Sequence, residues 1–218
     1  MIVPIFPLPN VVFFPKTLLP LHIFEERYRM MTREALSGDR RIALVLLREG
    51  WQASYNASPA VHEIACLGRI EKSEELKNGK FNIVLSGLCR VRLMREVQQR
   101  PYRTAEVLLL REEPCDDNAM EIIRLRNHIA GLFTRYMELQ SEGEARAPEL
   151  VPQLKFETLV NTVASTLNFP PEQKQSLLEL DDARTRCAAL IPLVQRQVEA
   201  LMLVRSFAFL KPSDPSRN

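Results

Sequence analysis

Prolines stand among large apolar side chains throughout the first 28 residues, and this combination restricts the fold more than any other feature of the chain. Pro7, Pro9, Pro15 and Pro20 all lie in this stretch. Because proline fixes φ and lacks a backbone donor, no helix can run through these residues and any strands must be short. The apolar residues between the prolines must nevertheless be buried. We therefore predict two short strands, a rigid turn-rich connection between them, and a helix that begins near Glu25.

Composition sets limits on the class of protein. The 218 residues carry a formal net charge of +2, and 46% of them are hydrophobic, which allows one large domain or two small ones. This balanced charge does not favour a protein that binds the phosphate backbone of nucleic acids.

Prolines interrupt the apolar residues at the amino terminus, so we expect no signal peptide. We also expect no membrane-spanning segment of about 20 apolar residues. Four scattered cysteines predict reduced thiols in a cytoplasmic protein.

The spacing of apolar residues changes along the chain. A helical stripe after the prolines is formed by Phe24, Tyr28, Met31 and Ala35. From Val61 the period becomes two, which predicts strands, and Asn78-Gly79 is typical of a hairpin turn. Short strands with glycines at their bends favour a small closed or half-closed barrel. Beyond residue 116 the spacing is helical. We predict an α+β fold with three ranges: a small β-barrel with one inserted helix (1–116), an α-helical bundle (117–210) and a disordered tail (211–218).

The opening residues and three later segments, in order along the chain, resemble a known family. Residues 7–15 read Pro-Leu-x-Asn-Val-Val-x-Phe-Pro, and residues 19–28 read Leu-Pro-Leu-x-Ile-Phe-Glu-x-Arg-Tyr. Further similarity is found at Ala65–Ile70, at Ile83–Val91 and at Leu167–Glu179. Together they resemble the amino-terminal substrate-binding domain of Lon-type ATP-dependent proteases over nearly the whole chain. The resemblance implies a PUA-like β-barrel followed by a helical bundle. It also implies a module that recognises exposed apolar segments of polypeptides.

The catalytic parts of a Lon protease have no counterpart in these residues. The sequence holds no Gly-x-x-x-x-Gly-Lys-Ser/Thr motif, and its one Gly-Lys pair, Gly79-Lys80, precedes Phe81 in the predicted hairpin. Without such a loop we predict no cradle for nucleotide phosphates. We therefore expect a non-catalytic module that lacks the ATPase and peptidase domains, is not an enzyme and needs no cofactor.

Histidines and cysteines give no catalytic or metal-binding pattern. His62 and Cys66 share strand parity, but their spacing separates them by roughly 13 Å, which is too far for a nucleophile and its base. We interpret Cys66 as a packed thiol and His22 as an apolar-lined histidine with one backbone hydrogen bond. Three histidines and four scattered cysteines lack metal-ligand spacing. We predict no catalytic residue and no metal site.

A row of arginines supports an alternative function. Arg90, Arg92, Arg95, Arg100 and Arg103 follow one another in the predicted strands, and PUA-like barrels can bind RNA. Apart from one tyrosine, aromatic side chains that stack on bases are missing there. We therefore favour a solvated sheet face over an RNA-binding module, and nucleic acid is an unlikely partner on this interpretation.

Aromatic residues supply the candidate contacts for a polypeptide. Trp51 and Tyr55 lie in an irregular loop, where large aromatics can anchor a flexible partner, although core packing explains the tryptophan equally well. Phe13 and Phe14 are weaker candidates. The predicted partners are unfolded or flexible polypeptide segments, with a separate protease or chaperone as a further candidate partner. Binding would bury apolar side chains in a groove between barrel and bundle, helped by an unpaired strand edge.

Overall fold

The described residues fold into a mixed six-stranded sheet and five α-helices, an α+β architecture. A computed structural model describes residues 1–54, 58–98, 101–140 and 154–206. The strands are β1 (Ile2–Leu8), β2 (Leu18–Ile23), β3 (Arg41–Leu46), β4 (Ile64–Glu75), β5 (Phe81–Gln98) and β6 (Thr104–Leu109). The helices are α1 (Glu26–Ser37), α2 (Met120–Gln140), α3 (Phe156–Thr166), α4 (Pro171–Glu179) and α5 (Ala183–Ser206), and a 3₁₀ turn covers Trp51–Ser54.

The proline-rich start folds as its sequence predicts. It forms two short strands, β1 and β2, and α1 begins at Glu26. Pro20 lies in β2, which pairs with β5 alone among the described strands and therefore lies at the edge of the sheet. A proline is tolerated there because an edge strand can leave backbone groups without partners in the sheet.

The other five strands form a closed cycle of pairings. Strand β1 runs parallel to β3, and β6 pairs antiparallel with both β1 and β5. The antiparallel pairs β3–β4 and β4–β5 complete the cycle. One face of these strands contributes a buried apolar cluster formed by Val3, Ile5, Ala43, Val45, Ala65, Leu67, Val91, Ala105 and Val107. The opposite face packs with α1 residues Tyr28, Met31 and Ala35 in a second cluster.

The hairpin between β4 and β5 confirms the turn predicted at Asn78-Gly79. Gly79 adopts a φ of +71°, a left-handed conformation that favours glycine. The backbone of Leu76 donates to the carbonyl of Lys80 at 2.8 Å. The Nε of Arg29, from α1, donates to the carbonyl of Gly79 at 2.7 Å. The turn is thus fixed by its own backbone and by α1.

The described chain divides into two compact units whose boundaries differ from the predicted ranges. The first unit comprises Met1–Glu113 and Ala164–Asp182, and the second comprises Pro114–Val163 and Ala183–Asn218. The break after Glu113 is close to the predicted one, but 164–182 belongs with the strands. Gln175 of α4 explains this, because its Nε2 donates to the carbonyl of Ile64 at 2.9 Å. The predicted tail, 211–218, lies outside the described residues.

The second unit contains a buried arginine. Arg186 of α5 is fully buried, and its Nη1 donates to Oδ1 of Asn161 at 2.8 Å. A buried charge needs such polar partners. In the same unit, the backbone of Phe156 donates to a carboxylate oxygen of Asp117 at 3.0 Å. Polar side chains therefore connect α5 to α3, and the start of α3 to the residues just before α2.

Helix α5 is long and apolar enough, by length and composition, to cross a membrane. Among the described helices α5 (Ala183–Ser206) alone meets this test, with a mean hydropathy of 1.4 over its most apolar 18-residue window. This corrects the expectation that the sequence holds no such segment. It is weak support for a membrane role, because the core helix of a soluble protein passes the same test.

Candidate functional site

A shallow groove of about 560 Å³ lies on the sheet of the first unit, where β2, β5 and β4 run side by side. We call it the β2 groove. It is lined by Pro20, His22, Lys72, Glu74, Asn82 and Val84. Because these residues alternate along their strands, they project from the same face of the sheet.

Strand register arranges this face in three rows. The first row consists of His22, Asn82 and Glu74, and the second of Pro20, Val84 and Lys72. The third consists of Leu18, Ser86, Arg69 and Arg41. Residues directly opposite each other in antiparallel strands have neighbouring side chains. The β2 groove therefore has an apolar side along β2 and a charged side along β4.

Two exposed apolar residues lie at the two ends of β2. Leu18 is 68% exposed and Phe24 is 59% exposed. The ring centroid of Phe24 lies 6.2 Å from that of His22, with the rings nearly parallel. Phe24 thus departs from the predicted buried stripe, because it precedes α1. Leu18 and Phe24 lie roughly 20 Å apart along the strand, so each can offer a separate apolar contact to an extended partner.

The outer edge of β2 is open. Within the described residues β2 pairs with β5 only, so no strand covers its other edge. An uncovered edge presents backbone N–H and C=O groups to which an extended segment can add as a further strand. The groove and the open edge lie next to each other on one strand.

The first row is linked by hydrogen bonds between side chains. Nδ1 of His22 lies 2.8 Å from Oδ1 of Asn82, and this carbonyl oxygen can only accept, so the imidazole donates. Nδ2 of Asn82 donates to Oε2 of Glu74 at 3.2 Å. The expectation that His22 is apolar-lined and bonded to the backbone is wrong: the residue is exposed and its partner is a side chain.

Of the residues predicted to contact a polypeptide, the three that the structure describes, Phe13, Phe14 and Trp51, do not line this groove. Phe13 and Phe14 are 2% and 0% exposed, so both belong to the core and neither is available at the surface. Trp51 is half-buried on the 3₁₀ turn, and Tyr55 lies outside the described residues. Sequence reasoning missed Leu18. The available signal was its alternation with Pro20 and His22, since a proline within a strand favours an edge position.

Comparison with known proteins identifies the family. The family model for the substrate-binding domain of ATP-dependent protease La (LON) matches residues 2–196. This chain belongs to that family. The resemblance described from the four sequence segments is thereby confirmed.

The relatives of this Lon substrate-binding domain are much longer proteins. Lon protease 2 of Myxococcus xanthus is 29% identical over 203 residues, which cover 93% of this chain and 24% of the relative. Lon protease of Anaeromyxobacter dehalogenans is 27% identical over 203 residues, with the same coverage of 93% and 24%. The chain therefore spans about a quarter of the length of these relatives.

Solved structures show the same fold. The amino-terminal domain of the Lon protease from Mycobacterium avium complex gives a TM-score of 0.68 at 18% identity, covering 89% of this chain and 98% of that one. A Lon amino-terminal domain protein from Xanthomonas campestris gives a TM-score of 0.63 at 22% identity, with 88% and 98% covered.

The thiols and histidines of this Lon substrate-binding domain do not form a nucleophilic pair. Cys66 is fully buried, and the ring of His62 lies 3.2 Å from Glu172 and 3.5 Å from Glu179, both on α4. Burial raises the pKa of the Cys187 thiol to about 12, so this thiol stays protonated and unreactive at neutral pH. Among the described residues, no group of three or more His, Cys, Asp or Glu could hold a metal ion.

The arginines of β5 and its neighbours do not form a continuous basic strip. Arg90 and Arg103 are buried, so the predicted solvated face is wrong for both of them. Arg103 donates to the carbonyl of Pro59 at 2.9 Å. Arg92 and Arg95 are exposed, but Arg95 pairs with Glu106 at 2.7 Å. Arg100 lies outside the described residues, and what is described does not favour RNA binding.

Proposed function

We propose that this Lon substrate-binding domain binds extended apolar segments of polypeptides in the β2 groove and catalyses no reaction itself. The observation that carries the proposal is the pair of exposed apolar residues, Leu18 and Phe24, beside a groove on an edge strand. Membership of a family of substrate-binding domains supports polypeptides as the ligand class.

We infer that a bound segment adds as a strand along β2. Backbone hydrogen bonds would then supply affinity that is independent of sequence, and alternate side chains would enter the groove. The side chains that enter would pack on Leu18, Pro20 and Val84. Trp51 and Tyr55 remain proposed as auxiliary contacts outside the groove.

The same proposal includes the source of the bound segments, a further partner protein and the scaffold that carries the groove. The bound segments would be unfolded or flexible parts of cytoplasmic proteins, handed on to a separate protease or chaperone. The cyclic pairing of β5, β4, β3, β1 and β6 supports a PUA-like barrel as the scaffold, and the packing of α2 against α5 supports a helical bundle in the second unit.

Substituting Leu18 tests where the polypeptide binds. We expect Leu18→Asp to weaken binding of a short fluorescein-labelled peptide, in which leucine alternates with serine, by about tenfold, because it removes burial of an apolar side chain. Fluorescence anisotropy measures the affinity. Leu18 is largely exposed, so its replacement leaves the core intact.

The matched control is Leu203→Asp, at a residue of similar exposure on α5. It introduces the same charge and removes the same side chain, and we expect unchanged affinity. Equal binding by the parent and Leu18→Asp proteins would place the polypeptide site elsewhere.

A further inference from the structure

His22 is the only side chain of the edge strand β2 that can carry a charge, since the strand reads Leu-Leu-Pro-Leu-His-Ile. It shares the groove face with Leu18 and Pro20, because side chains alternate along a strand. A segment that adds to the open edge of β2 lies one strand spacing away, about 4.8 Å. Residues directly opposite each other have neighbouring side chains, so the side chain opposite His22 is within its reach.

Hydrogen bonds fix the orientation of this imidazole. The carboxylate of Glu74 only accepts, so Asn82 turns its amide nitrogen toward it and presents its oxygen to His22. Nδ1 of His22 donates to this oxygen at 2.8 Å. Because the two ring nitrogens point away from each other, Nε2 is directed away from β5. Among the described residues Asn82 is the only hydrogen-bond partner of this ring, so Nε2 is open to a ligand at the edge of β2.

The charge of the ring decides what Nε2 can bind. While Nδ1 donates, Nε2 of the neutral ring only accepts a hydrogen bond, and its lone pair repels a carboxylate. In the protonated ring Nε2 donates and the ring is positive, so it pairs with a carboxylate in a charge-assisted hydrogen bond. An imidazole ordinarily changes charge between about pH 5 and 8.

Other charged side chains lie on the elements next to β2. They are Lys72 and Glu74 of β4, Lys80 directly before β5, and Glu25, which pairs with Arg27 at 2.8 Å. Carboxylates and ammonium groups ordinarily keep their charge between about pH 5.5 and 8, so their effect on a bound carboxylate stays the same over that range. A preference that changes with pH therefore reports the charge of the imidazole.

We propose that His22 is the specificity-determining residue of the β2 groove, and that its protonated ring selects an acidic side chain directly opposite it. This inference rests on the proposed function, because it specifies the class of polypeptide segment bound at the same site. The selected segment has apolar side chains opposite Leu18 and Pro20 and a carboxylate opposite His22. The apolar contacts supply affinity, and the histidine supplies selectivity and register.

The test compares two peptides with blocked ends, X-Ser-Leu-Ser-Leu-Ser-X, in which X is either Glu or Gln. Because X stands at both ends, one X lies opposite His22 whichever way the peptide runs. Glu and Gln have nearly the same shape, so the two peptides differ in charge. We expect the Glu peptide to bind about threefold more tightly at pH 5.5, since exposed ion pairs contribute modestly, and to lose this advantage at pH 8. Fluorescence anisotropy measures both affinities, with a rhodamine label whose emission does not depend on pH.

Variants assign the pH dependence to His22. We expect His22→Gln to remove the change in preference with pH, while His128→Gln, the same substitution at an exposed residue of α2, preserves it. An equal preference at the two pH values, or a change with pH that persists in His22→Gln, overturns the inference. If Leu18→Asp nevertheless weakens binding of both peptides, the proposed function stands. Binding that Leu18→Asp leaves unchanged overturns both.

Discussion

Arg90→Met is expected to destabilise the first unit by about 3–5 kcal/mol, the usual effect of breaking a buried ion pair from one side. Arg90 is 2% exposed, and its Nε donates to Glu112 at 2.6 Å. Without the guanidinium, the carboxylate of Glu112 would be left largely buried without that partner. Removing one charged partner from a largely buried carboxylate is more unfavourable than the loss of an exposed contact.

Arg90 also holds the end of α4. Its Nη1 donates to the carbonyl of Leu178 at 3.2 Å and its Nη2 to the carbonyl of Asp181. The last carbonyls of a helix have no partner within the helix, so this arginine satisfies them and attaches α4 to β5. Arg90→Met should therefore loosen 164–182 as well as lower the stability of the unit.

Urea unfolding followed by the fluorescence of Trp51 measures this effect, because the sole tryptophan lies in the first unit. The matched control is Arg95→Met. Arg95 lies on the same strand and also pairs with a glutamate, but this pair is exposed, so its loss should hardly change stability. Comparable unfolding midpoints for the two variants would show that the buried network contributes little.

Gly87→Ala is expected to destabilise the first unit by about 3 kcal/mol, through overpacking against backbone that cannot move aside. A Cβ at Gly87 would lie 2.2 Å from the carbonyl oxygen of Phe14 and 3.0 Å from the Cα of Pro15. Hydrogen bonds hold the two segments together: Lys16 donates to the carbonyl of Gly87 at 2.8 Å, and Gly87 donates to that of Thr17 at 2.9 Å.

Thermal unfolding monitored by circular dichroism and Trp51 fluorescence checks this prediction. Gly131→Ala is the control, because a Cβ at Gly131 in α2 would have no neighbouring atom within 4 Å. We expect that change to be stabilising by about 0.5–1 kcal/mol, the gain in helix propensity. If Gly87→Ala melts like the parent protein, the close approach of Phe14 to β5 is not a rigid feature of the fold.

The local features of the fold could be predicted because each depends on a few adjacent residues. The hairpin follows from Asn78-Gly79, since the turn needs a positive φ that glycine supplies. The short strands at the start follow from prolines that exclude helix. The boundary between the two units near residue 113 follows from the spacing of apolar residues, which changes there from every second residue to the spacing of a helix.

The sequence predicted the type of candidate site but not the residues that form it. An apolar groove and an unpaired strand edge were expected, but Phe13 and Phe14 are in the core and the groove we propose lies on the sheet of the first unit. The reason is that Leu18, Val84 and Lys72 are far apart in sequence. Only the register of β2 with β5 and of β5 with β4 makes them neighbours.

The sequence by itself determined the family and the kinds of secondary structure, because motifs, periodicity and proline act locally. The tertiary structure alone decided which charges are buried and which face a groove. Arg90 and Arg69 look alike in the sequence, yet one is buried and attaches α4 to β5, whereas the other lies exposed on β4. Pairing between distant segments sets this difference, since burial and electrostatic partners depend on which strands and helices come together.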